Sequence, residues 1–120
     1  VVDPNNPYRL SLRDFCLALP GAWEDFPWDQ ATYKVGTKAF VFTGGIEPLG
    51  VTVKTTADRQ SVLIQDPAII PAPYLHHHNW VMVTVTDEET LQLALSLVED
   101  SHRLVVKGLP KSKQKELGLL

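Results

Sequence analysis

Apolar and polar positions change their period several times along the 120 residues, and each change marks an element. Leu12, Phe15, Cys16 and Leu19 recur at i, i+3, i+4 and i+7, the stripe of a short helix over residues 11–19. Ser11 and Asp14 have capping-box spacing at its start, and Pro20-Gly21 ends it. Residues 22–31 show no period and read as an acidic, aromatic loop. Its Trp23 and Trp28 are expected to fold back onto the core, and Glu24, Asp25 and Asp29 to stay in water. Residues 32–43 read as a β-hairpin with Gly36-Thr37 as its two-residue turn. Direct pairing of Tyr33 with Phe40, Lys34 with Ala39 and Val35 with Lys38 predicts a core face of Tyr33, Val35, Phe40 and Phe42. Lys34, Ala39 and Val41 then share the other face.

After a turn over residues 44–50, Val51 and Val53 alternate with Thr52 and Lys54, a strand with one buried face. Residues 55–66 read as a second helix, capped by Thr55 with Asp58 and stopped by Pro67. Pro67, Pro71 and Pro73 limit the next stretch to a short edge strand near Tyr74. Val81, Val83 and Val85 against Met82 and Thr84 predict a strand over residues 80–86. A long amphipathic helix follows over residues 87–107, the most buried of the helices, lying across the sheet. Gly108 and Pro110 end it, and residues 111–117 add a last short helical turn or two. The order is α-β(3)-α-β(2)-α, without βαβ alternation. That predicts an α+β fold: a twisted antiparallel sheet with helices mainly on one face. Residues 1–120 read as a single domain, with 1–10 as its opening segment.

Composition adds exclusions. A 44% hydrophobic and 21% charged chain is neither a disordered tail, a collagen-like repeat nor a coiled coil. One cysteine, Cys16, permits no intrachain disulfide. No apolar run approaches the ~18 residues of a membrane span, and no signal-peptide pattern opens the chain. The start without Met reads as trimmed, and a cytoplasmic location without membrane contact is expected.

Net charge is −3, which argues against indiscriminate coating of nucleic acid. The charge is uneven: residues 1–100 carry −7 and residues 101–120 carry +4. Arg103, Lys107 and Lys111 at the basic end, with Lys34, Lys38 and Lys54 on or beside the hairpin, form the candidate phosphate-docking set. Trp23, Trp28 and Trp80 form a second candidate, an aromatic binding surface.

Catalytic readings find less support. His76, His77 and His78 are consecutive, so they do not converge on one ion as spaced ligands do; adventitious metal binding is the most they predict. Ser101 and His102 are neighbours on a helix and do not face each other. Ser101 falls in the apolar arc, where a small residue allows close approach to the sheet. Cys16 sits on an apolar stripe and reads as an inert thiol. Nothing fixes the separation of Glu24, Asp25 and Asp29 for acid–base work. Gly44-Gly45 leads into a strand and makes no phosphate loop. No cofactor, no native metal and no enzymatic activity are expected.

Several segments taken together resemble a known family. They are Leu19-Pro20-Gly21-Ala22 with Glu24-Asp25-Phe26-Pro27-Trp28, Tyr33-Lys34-Val35-Gly36-Thr37-Lys38-Ala39-Phe40, and Val53-Lys54-Thr55. Then follow Pro71-Ala72-Pro73-Tyr74-Leu75 leading to Trp80-Val81, and Ser101-His102-Arg103-Leu104-Val105 closing on Leu109-Pro110-Lys111. In this order and spacing, over about residues 10–117, they resemble the MmcQ/YjbR family of small bacterial proteins. The resemblance implies a compact α+β fold similar to frataxin-like and secretion-chaperone-like sheets. It also implies a DNA-binding role, based on two hairpin loops that project like wings. The matching positions are Lys34 to Lys38 and the loop over residues 44–50, which carries Glu47 and no base. Where the family often has Tyr this chain has His102, a packing difference. The resemblance brings no catalytic residues. The expected function is a non-catalytic DNA-binding or regulatory protein; the alternative is a module that binds a protein or small molecule, with no nucleic-acid role.

Overall fold

The computed structural model describes residues 5–26, 30–44, 47–73 and 78–120. In chain order the elements are α1 (Pro7–Leu17), β1 (Ala22–Asp25), β2 (Thr32–Val35), β3 (Lys38–Thr43), β4 (Leu49–Lys54), α2 (Ala57–Leu63), β5 (Ile69–Pro71), β6 (Trp80–Val85), α3 (Glu88–Gly108) and α4 (Lys111–Glu116). The six strands form one sheet in the order β1-β2-β3-β4-β6-β5, with every neighbouring pair antiparallel. This is the α+β architecture expected from the pattern, with differences at particular elements.

The first helix starts at Pro7, four residues before Ser11. Asn6 caps it by accepting from the Tyr8 N–H at 2.9 Å, and proline suits the first helical position because its missing donor would be unpaired there. In α2 the cap is Thr56, one residue after Thr55, and its hydroxyl accepts from the Arg59 N–H. The acidic aromatic stretch is in part a strand: β1 pairs with β2 at the sheet edge, Trp23 opposite Lys34 and Glu24 opposite Tyr33. Acidic residues are poor strand formers, so tertiary pairing decides here. The short edge strand forms at Ile69–Pro71; Tyr74 lies outside the described residues.

The hairpin turn forms at Gly36-Thr37, with Gly36 at φ +59°, a conformation that L side chains adopt at a cost. Its register departs from the expected one. Lys34 pairs with Ala39 and Val35 with Lys38, but Tyr33 pairs with Val41, so Phe40 is the extra residue of a β-bulge. Phe40 and Val41 are therefore both fully buried, whereas Phe42 turns to the opposite face. The run Phe40-Val41-Phe42 is apolar at every position, so alternation did not reveal the bulge.

Helix α3 lies across β2, β3, β4 and β6, and its Ala94, Leu97 and Val98 are buried against the sheet valines. Removed from water, Leu97 and Val98 contribute roughly 1.5–3 kcal/mol each and the Ala94 methyl less than about 1 kcal/mol. A reciprocal capping box starts α3: the Thr90 N–H donates to Asp87 Oδ1 at 2.8 Å, and the Asp87 N–H donates to Thr90 Oγ1 at 3.1 Å. Helix α1 packs on α3 and β1, α2 is tied to α3 by Arg59 and Asp100, and Leu117 after α4 joins the same core. The described helices thus gather on one face of the sheet.

Candidate functional site

The face turned away from the helices follows from the strand register. Trp23 lies opposite Lys34, and Lys34 opposite Ala39; further across, Lys54 lies opposite Trp80. Two short rows result on this face: Trp23, Lys34 and Ala39 over β1 to β3, and Lys54 and Trp80 over β4 and β6. The bulge sends the Phe40 ring under α3, edge-on to His102 at 5.1 Å, and leaves the small Ala39 opposite Lys34. A longer row runs Thr32, Phe42, Thr52, Met82, Ile70. Gly50 allows Met82 to lie close over β4, since a Cβ at that position would stand 2.8 Å from its sulfur.

The aromatic groups are held in place. Trp23 does not fold back onto the core as expected: it is 43% exposed, and its indole N–H donates to the Gly36 carbonyl at 2.9 Å, which ties the ring to the hairpin turn. Lys34 Nζ stands 5.5 Å from the Trp23 ring centroid and donates to Asp25 Oδ2 at 2.8 Å. That hydrogen bond holds the Asp25 carboxyl below the usual carboxylate range. The Trp80 and Phe42 rings pack at 5.4 Å between centroids, tilted by 52°. Lys54 makes no ion pair among the described residues. This face therefore presents two indoles, one partly neutralised cation and one free cation.

The residues expected to dock phosphates separate into two groups. Lys34 and Lys54 share the face just described with Trp23 and Trp80. Lys38 lies opposite the buried Val35 at the hairpin tip and is exposed on the other side of the strand. Arg103, Lys107 and Lys111 are exposed on α3 and α4, in the helical layer. The six cations do not form one strip. Trp28, His76 and His77 lie outside the described residues, and His78 is exposed just before β6. In the second wing, Glu47 accepts from Arg9 Nε at 2.8 Å and from Asn6 Nδ2 at 3.0 Å, anchoring the start of α1.

The chemistry-bearing residues of the core serve structure. Ser101 is fully buried; its hydroxyl accepts from the Lys54 N–H at 2.9 Å and donates to the Phe40 carbonyl at 2.7 Å. These backbone groups come next in the β3–β4 ladder after Val41 and Val53, so Ser101 bridges the gap that the bulge opens. His102 donates through Nε2 to the Pro20 carbonyl at 2.8 Å, not to Ser101. Glu24, expected in water, is largely shielded: it accepts from the Tyr33 hydroxyl at 2.9 Å and from Arg13 Nε at 3.4 Å. Burial, then Glu24, push the Tyr33 phenol up, and the same two causes push up the Cys16 thiol, so both keep their protons.

Sequence reasoning missed Phe42 as the surface partner of Trp80, because the bulge reverses the face expected for it. It also missed two concavities assembled from distant segments. One, of about 410 Å³, lies between α1 and the β1–β3 edge beside Arg13, Glu24 and Phe26. The other, of about 670 Å³, lies in the helical layer.

Comparison with known proteins gives consistent matches. The YjbR family model matches residues 17–104. The uncharacterized protein YbdF of Escherichia coli O157:H7 is 29% identical over 87 residues, 71% of either chain. The crystal structure of Deinococcus radiodurans protein DR2400, which carries the domain DUF419, superposes with a TM-score of 0.78 at 33% identity. It covers 91% of this chain and 86% of that one. A Pseudomonas syringae crystal structure shares the fold, with a TM-score of 0.65 at 20% identity over 81% of this chain and 97% of that one.

Proposed function

Because this chain belongs to the YjbR family, we propose that it acts as that family's DNA-binding label implies, without catalysis, by taking single-stranded DNA across the sheet face turned away from the described helices. The observation that carries the reading is that two tryptophan–lysine pairs of opposite strand partners, Trp23 with Lys34 and Trp80 with Lys54, stand on one face of the sheet. Bases stack on aromatic side chains for about 1–3 kcal/mol each, and this needs no sequence-specific contact. Lysines beside the indoles meet the backbone phosphates. Trp23 and Trp80 sit four strand spacings apart, about 19 Å, room for a short run of nucleotides. A single strand suits this surface better than a duplex. Its cations are lysines and not arginines, and the chain is acidic overall.

Fluorescence anisotropy of a labelled oligonucleotide of about 12 nucleotides tests the reading. Binding is expected at about 20 mM salt, with log K falling against log salt at a slope between about −0.7 and about −1.4, the values for one and two neutralised phosphates on a single strand, since Lys34 is already paired with Asp25. Lys54→Glu is expected to weaken binding by about tenfold or more, and a matched duplex to bind less tightly. Absence of binding at low salt would overturn the reading, as would unchanged affinity in a Trp23→Ala, Trp80→Ala double variant.

A further inference from the structure

The larger concavity lies in the helical layer, away from the sheet face, between the second half of α3, α4 and the start of α2. At about 670 Å³ it falls within the ~300–1,000 Å³ of small-molecule sites. Leu104, Val106 and Leu119 supply an apolar wall, while Arg59, Arg103 and Lys107 stand around it. Asp100 is the one acid lining it among the described residues. It lies between the two guanidinium groups, 2.5 Å from Arg59 Nη1 and hydrogen-bonded to Arg103 Nη2. Burial opposes its ionisation, but the two arginines outweigh that and hold its carboxyl below the usual range. Lys107 makes no ion pair among the described residues. Three cations against one carboxylate leave a local charge of +2, beside a body of residues 1–100 that carries −7.

An apolar wall beside uncompensated cations selects a ligand with both characters. We propose that this groove binds a small amphipathic anion, a carboxylate or phosphate head on an apolar body. The head meets Lys107 and the arginine edges that Asp100 leaves free, and the body lies along Leu104, Val106 and Leu119. Asp100 fixes the two guanidinium groups at the groove, so the positive rim is set before a ligand arrives. The proposal does not depend on the sheet face.

Amide chemical shifts of the isotopically labelled protein, titrated with decanoate, decyl phosphate or decanol below their aggregation concentrations, test it. The charged probes are expected to give saturable shifts at Leu104, Lys107 and Leu119, with decanol at least about tenfold weaker. Lys107→Glu, an exposed change that leaves the core intact, is expected to weaken decanoate binding by about tenfold, and Leu104→Gln to weaken both charged probes. Trp80→Ala is expected to bind decanoate like the unaltered protein. Equal binding of decanol, unchanged affinity in Lys107→Glu, absence of saturable shifts, or loss of decanoate binding in Trp80→Ala would each overturn the proposal.

Discussion

Ser101 shows how one hydroxyl ties three elements together. It spans the Phe40 carbonyl and the Lys54 N–H where the bulge parts β3 from β4. Ser101→Ala leaves both buried groups without that partner, so it is expected to cost about 1–3 kcal/mol. Urea denaturation checks this: the midpoint falls while the slope stays constant. An unchanged midpoint would mean that the strands close the gap themselves. The sequence placed Ser101 in the apolar arc of its helix and implied close approach to the sheet, and the structure agrees. The use of the hydroxyl was not legible, because it depends on a bulge 61 residues away. Glu24 is a similar case. Its shielding comes from Tyr33 across a strand pair and from Arg13 on α1, neither of which local polarity reveals.

Among the elements, α3 was the most legible, since its apolar arc is long. The capping box carries a pH dependence with a definite sign. The Thr90 backbone N–H and then its hydroxyl hold the Asp87 carboxyl below its ordinary value, and Lys34 does the same for Asp25. A carboxyl whose folded value is depressed adds stability above the unfolded range and loses it as pH falls through the folded value. The melting temperature is therefore expected to fall between about pH 5 and pH 2. Asp87→Asn is expected to show a shallower fall over that window; an identical profile would show that the cap does not contribute. Strand β1 and the hairpin register were misread for identifiable reasons. Strand β1 carries Trp-Glu-Asp, whose propensity is poor until β2 pairs with it. The hairpin register was inferred from strict alternation, which the three consecutive apolar residues of β3 do not obey.

At the level of the whole molecule, charge distribution was legible but its geometry was not. The −7 body and +4 end are read directly from the chain. That Lys34 and Lys54 lie on the side turned away from the described helices while Arg103, Lys107 and Lys111 lie in the helical layer follows only once the helices are known to share one face. The separation gives the molecule two unlike surfaces: an aromatic face with two lysines, and an apolar groove with a cationic rim. Membership of the YjbR family accounts for the fold, and the two surfaces are where function is to be sought. The most direct measurement of the central claim follows the side-chain indole N–H signals of the isotopically labelled protein as a single-stranded oligonucleotide is added at low salt. The Trp23 and Trp80 signals are expected to shift together and saturate, while the backbone amides of Arg103, Lys107 and Lys111 stay in place. Shifts confined to those three residues, or none at all, would contradict the account.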